Sequence, residues 1–133
     1  MARPILQAMA LAACLTATGP AAAQTTQASG TITLRQPDGT IVPVAGAVVD
    51  IHRTDIRWTV ALRTGRTGRY VQAGIPLVGT YTVAVSAPGA APAFRSGLRL
   101  FHFPIQDFEL QPGDGARLTL AQIRERQAVP PPN

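Results

Sequence analysis

Apolar and polar residues alternate with a period of two along most of this chain. The clearest run is Thr80-Tyr81-Thr82-Val83-Ala84-Val85-Ser86-Ala87. Tyr81, Val83 and Val85 face one way and Thr82, Ala84 and Ser86 the other, as in a half-buried strand. Its β-branched and aromatic content suits a pleated surface. Pro88-Gly89 stops the run, because proline cannot donate to a ladder and glycine permits a tight turn. Shorter runs predict strands over 29–35, 47–53, 57–64, 69–73, 94–101 and 105–110. Within them Ala47, Val49 and Ile51 should face inward, with Val48, Asp50 and His52 outward. Trp58, Val60 and Leu62 share an inner face, and Arg57, Thr59, Ala61 and Arg63 an outer one. Gln36-Pro37-Asp38-Gly39 reads as a turn with proline preset at its second position.

Three stretches carry less regular signals. Ile75-Pro76-Leu77-Val78-Gly79 is a bend whose apolar residues are expected to close one end of the core. The run over 94–101 is apolar on both faces, with Leu98 and Leu100 on one and Phe101 and Phe103 near its end on the other. The preferred reading is that Pro104 bends the chain and admits both sets to the core. Otherwise Phe101 and Phe103 are exposed and form a partner contact. Thr119-x-x-Gln122 fits a capping box opening a short helix over 120–127, and an eighth strand over 117–123 is the alternative.

Gly68-Arg69-Tyr70, followed by Ile75-Pro76 and the Gly79-to-Gly89 stretch, resembles the carboxypeptidase regulatory-like domain family. Gly30-Thr31-Ile32 resembles that family's first strand, and Pro43-Val44-Ala45-Gly46-Ala47-Val48-Val49 the lead into its second. The likeness spans residues 29–110. It implies an all-β fold, a seven-stranded antiparallel β-sandwich of transthyretin-like form. It also implies a non-catalytic accessory or interaction role, since members often stabilise or present a neighbouring module. Two positions depart from the pattern. Arg66-Thr67 stands where the family's turn is usually acidic, and Gln72 stands where an apolar residue is expected.

The chain has 133 residues, enough for one domain. The first 23 are expected to be a secretory signal peptide. Arg3 supplies the positive start, residues 5–16 are largely apolar, and Ala21-Ala22-Ala23 offers a small-residue cleavage site. The run is too short and too broken by Gly19-Pro20 to span a membrane. Leu11-Ala12-Ala13-Cys14 resembles a bacterial lipobox, so a lipid anchor on Cys14 is the alternative. The resulting organisation is a leader over 1–23, a sandwich domain over 24–111, and an extension over 112–133 ending in Pro130-Pro131-Pro132. A periplasmic or secreted location follows from the leader, with a lipoprotein as alternative. Cleavage after Ala23 leaves no cysteine, hence no disulfide.

Charge changes the picture more than composition does. The net charge is +5, and all 12 basic residues are arginine. Without lysine, no Lys–Asn isopeptide cross-link can form. Between Ile56 and Gln106 there is no acidic residue, yet Arg57, Arg63, Arg66, Arg69, Arg95 and Arg99 fall there. Arg57, Arg63 and Arg69 are expected on the outer face of one hairpin with Arg66 at its tip, a candidate anion-binding patch.

Catalytic chemistry finds little support. Asp50 and His52 share a strand face, but two ligands are too few for a metal site. Asp107 and Glu109 are spaced for an outer strand face rather than for acid–base work. Ser29, Ser86 and Ser96 lack a visible base and orienter. Trp58 is the one tryptophan and is expected in the core, which weakens sugar stacking. The expectation is therefore no enzyme, no cofactor, no metal and no nucleic acid partner. The leading function is an exported module binding another envelope protein or serving an accessory role. The alternative is binding of an acidic glycan or phospholipid headgroup through the arginine hairpin.

Overall fold

The structure is a computed structural model and describes residues 24–128. The leader with its cleavage site and Cys14, and the proline tail, lie outside the described residues. Eight strands and one helix are present among those described: β1 Thr25–Arg35, β2 Ile41–Pro43, β3 Val48–Arg53, β4 Trp58–Arg63, β5 Arg69–Pro76, β6 Tyr81–Ser86, β7 Ala93–Leu98, β8 Phe108–Leu110 and α1 Leu120–Ala128. They form two sheets. One runs β2-β1-β5 with β8 added along β1, and the other runs β4-β3-β6-β7.

This is the expected all-β sandwich, with two refinements. The short strand β2 pairs with the end of β1, so the count rises from seven to eight. The final strand β8 runs parallel to β1, with Ile32 opposite Phe108 and Leu34 opposite Leu110. All other pairings of named strands are antiparallel.

The core follows the alternation. Val49 and Ile51 of β3, Tyr81, Val83 and Val85 of β6, Ile32 of β1 and Tyr70 of β5 are buried between the sheets with Phe108 and Leu110. Trp58, Val60 and Leu62 of β4 pack against this cluster. Each fully buried aliphatic side chain contributes roughly 1.5–3 kcal/mol relative to exposure. Among the described residues, the two core clusters run from Ala28 to Ile123.

The link from β4 to β5 is a crossing between sheets, and it has a local cause. Thr64 is buried, accepts the Ala47 N–H at 2.9 Å through its hydroxyl and donates to the Val44 carbonyl at 2.5 Å. That fixes the chain at the edge of the second sheet. Gly65 to Gly68 then turn it towards β1, where the Ile32 N–H donates to the Gly68 carbonyl at 2.7 Å. Gly68 adopts a positive φ of 76°, and a Cβ there would collide with the Ile32 carbonyl oxygen. Only glycine meets both demands.

The segment expected as an extension is part of the packing. Arg117 reaches back to Asp50, and Leu118 and Ile123 bury against Ala84 and Phe94 on the outer face of the second sheet. The helix reading of this segment is the one observed. The Thr119 hydroxyl accepts the Gln122 N–H at 3.2 Å, and the Gln122 side chain accepts the Thr119 N–H at 2.9 Å. This reciprocal box satisfies two donors that a bare helix start would leave free. Its cover explains why all six residues of β6 are buried, where alternation predicts three.

Candidate functional site

Three loops meet at one end of the sandwich: 54–57 between β3 and β4, 77–80 between β5 and β6, and 99–107 between β7 and β8. The pairing of Arg53 with Tyr81 and of Tyr81 with Leu98 brings their bases together. Hydrogen bonds tie the first two to each other. The Thr54 N–H donates to the Thr80 carbonyl at 3.0 Å, and the two threonine hydroxyls lie 2.7 Å apart. The Tyr81 hydroxyl donates to the Pro76 carbonyl at 2.6 Å. Arg53 grips Asp55 through two bonds of 2.6 and 3.0 Å, with its guanidinium lying against Gly79.

The longest of the three loops is held by a buried glutamine. The Gln106 carbonyl accepts the Tyr70 hydroxyl at 2.6 Å, its side-chain oxygen accepts Arg95 at 2.9 Å, and its amide donates to the Phe103 carbonyl at 2.9 Å. Its backbone N–H donates to Ser29 at 2.8 Å, while the Ser29 N–H donates to the Pro104 carbonyl at 3.0 Å. Burial pushes the Tyr70 phenol well above its ordinary range, aided by Asp107 and opposed by Arg95. Leu100 plugs the core beneath.

With Leu100 inside and Gln106 fastened, the residues between them are held outward. Phe101 is 56% exposed and Phe103 64%. The preferred expectation, that Pro104 admits both to the core, is overturned: the turn closes by His102 and Phe103 N–H bonds to the Arg99 carbonyl, which turns both rings to solvent. Val78 is 77% exposed, so the 75–79 bend closes the core through Ile75 while presenting Val78 to solvent. Ile56 is also exposed. Two concavities lie at this end, one between the 54–57 loop and α1 and one among the three loops. One, of about 580 Å³, is lined by Arg53, Ile56, Arg57, Trp58, Leu120 and Arg124 among others. The other, of about 460 Å³, is lined by Asp55, Leu77, Val78, Arg99, Phe101 and His102 with Gly79 and Thr80.

The arginine hairpin is not formed. Because β4 and β5 belong to different sheets, Arg57 lies at the loop end while Arg63, Arg66 and Arg69 lie at the other. Arg63 donates to the Gly46 carbonyl at 3.3 Å there. The structure instead places Arg57 and Arg124 along the concavity beside Ile56, and Arg99 along the one beside Val78 and Phe101. Sequence reasoning missed Arg124, because only the fold of α1 against the second sheet brings it there. Val78 was legible as apolar, but its exposure was not.

Outside the loop end, the singled-out residues take structural roles. Asp50, only 4% exposed, is bridged by Arg117 at 2.9 and 2.6 Å. It is therefore a buried anchor and not a solvated outer residue. His52 shares its face, with Nδ1 2.8 Å from the Thr59 hydroxyl and Nε2 buried without a hydrogen-bond partner among the described residues. Asp107 accepts the Thr31 N–H at 2.7 Å, and Glu109 pairs with Arg35 at 2.6 Å. Arg95 stacks over Phe108 at 4.2 Å. Among the described residues, no group of three or more His, Cys, Asp or Glu is placed to hold a metal ion. No described helix is long and apolar enough to cross a membrane.

Two packed sheets with three loops at one end define a β-sandwich module. A family model described as the carboxypeptidase regulatory-like domain matches residues 29–122, and the chain belongs to that family. No curated protein matches the chain. Among solved structures, 3-chlorocatechol 1,2-dioxygenase from Rhodococcus opacus 1CP is similar at a TM-score of 0.45 and 10% identity. That alignment covers 70% of this chain and 62% of the dioxygenase chain, less than two thirds of its length.

Proposed function

We propose that this chain is a non-catalytic, exported module of the cell envelope that binds its partner through the loop end carrying Phe101 and Phe103. The observation that supports this most is the outward hold on those two rings. Exposed aromatic side chains on a fastened loop lose little conformational freedom on binding, which favours recognition. Their exposure also lacks a structural use, since Leu100 already fills the core beneath them. Family membership supports the non-catalytic part of the reading.

The test is cross-linking of the tagged chain in its own envelope, with the Phe101→Asp/Phe103→Asp variant in parallel. The proposal expects a component recovered in near-equal amount with the parent and lost with the variant. Equal recovery with both would remove the loop end from the binding role. Of the four arginines expected to form an anion-binding patch, Arg57 lies at the loop end and Arg63, Arg66 and Arg69 at the opposite end. Salt-sensitive binding lost on Arg63→Ala with Arg69→Ala would favour anion binding at that opposite end.

A further inference from the structure

We infer that this loop end docks on an anionic phospholipid surface. The inference rests on the reading of the end as the binding surface, and names its partner. Three observations carry it.

The first is shape. The exposed apolar residues Ile56, Val78, Phe101 and Phe103 stand on three separate loops, with one concavity among the loops and another between the first loop and α1. A protein interface of ordinary size has a contiguous, closely packed apolar centre. Separated tips suit insertion between lipid headgroups, and aromatic rings favour that boundary.

The second is charge. Arg57, Arg99 and Arg124 line the concavities beside the tips. None of the three is in an ion pair among the described residues. Of the acids on these loops, Asp55 is engaged by Arg53, which holds its carboxyl below the usual range, and Asp107 accepts the Thr31 N–H. Guanidinium groups pair readily with phosphate, and such pairing complements the apolar tips.

The third is chain direction. The Gln24 carbonyl accepts the Leu77 N–H at 3.2 Å, so the preceding segment joins the sandwich at this same end. Cys14 stands ten positions before Gln24, a reach of about 35 Å when extended. A lipid on Cys14 would tether this end within that reach of a bilayer. After cleavage at Ala23 the tips and arginines would act alone.

The experiment is co-sedimentation of residues 24–133 with vesicles of phosphatidylglycerol and phosphatidylethanolamine, against vesicles of phosphatidylcholine. These residues retain both core clusters and all eight strands. The full chain and its variants run alongside. Binding is expected to the anionic vesicles, weakening as salt rises. Replacing Arg57, Arg99 and Arg124 by alanine should lower partitioning on the order of a hundredfold, about fivefold per arginine. Phe101→Asp/Phe103→Asp should lower it by about tenfold or more. Val71→Asp, an exposed apolar site on β5, should leave binding unchanged, and circular dichroism checks that each variant is folded.

Failure to bind anionic vesicles, or binding indifferent to both sets of changes, overturns the inference. If vesicles fail but an envelope protein is captured and lost with the phenylalanine variant, the loop-end reading stands and only the lipid falls. If neither occurs, both fall.

Discussion

Asp50 and Arg117, 67 positions apart, form a two-bond ion pair that fastens the C-terminal segment across the second sheet. The carboxylate is buried, while the Arg117 side chain is 56% exposed. That asymmetry decides what breaking the pair costs. Arg117→Ala strands a charge inside and should destabilise by about 1–3 kcal/mol, below the fully buried range because Arg117 is wet. Replacing both by leucine should recover part of the loss. Urea unfolding of the single and double variants measures the difference.

The helix that follows depends on its cap and on one side chain. Thr119→Ala removes the hydroxyl of the capping box and should cost roughly 0.5–2 kcal/mol. Ile123→Ala opens a cavity against Ala84 and Leu118 and should cost about 2–4 kcal/mol. Thermal unfolding of the two variants should rank them in that order.

His52 should make stability depend on pH. Burial lowers its proton affinity from the ordinary 6.5, outweighing Asp50, which favours the cation, while Arg117 opposes the cation. The unfolded chain then binds more protons than the folded one between the lowered value and 6.5. Its contribution is full above 6.5 and is lost as pH falls through that window. His52→Gln should flatten this part of a plot of midpoint temperature against pH. An unchanged slope would assign the dependence to other groups.

Tyr70 and the phenylalanines it helps to present should separate cleanly. Tyr70→Phe deprives the Gln106 carbonyl of its buried donor and should cost about 1–3 kcal/mol. Hydrogen exchange should quicken over residues 99–107. Phe101→Asp and Phe103→Asp touch exposed rings and should shift stability by less than about 0.5 kcal/mol each.

Gly68→Ala should be the most damaging single methyl on the β4–β5 crossing. It faces both a positive φ and the Ile32 carbonyl. A loss of at least about 2 kcal/mol is expected, well beyond the ordinary cost of glycine replacement. A folded variant of parental stability would show that the crossing can relax.

Most strands, their inner faces and the Thr119–Gln122 box are legible in local order, because each rests on near neighbours, whereas β2 and the choice of helix over an eighth strand at 117–127 are not. Val83 and Val85 alternate with Thr82 and Ala84 whatever lies beyond them, and Thr119 needs only Gln122 three places on. The family likeness was legible for the same reason, being carried by turns and strand edges such as Gly68 and Pro88-Gly89. The tertiary structure alone decided which strands share a sheet. Local periodicity does not say that Thr64 and Gly68 send β5 to the opposite layer, so four arginines read as one patch were divided between two ends. It decided also that Asp50 and the outer face of β6 are buried, since their cover comes from residues 117–123. Phe101 and Phe103 show the same limit. Their hydrophobicity pointed inward, and only the fastening of Gln106 and the prior claim of Leu100 on the core hold them out.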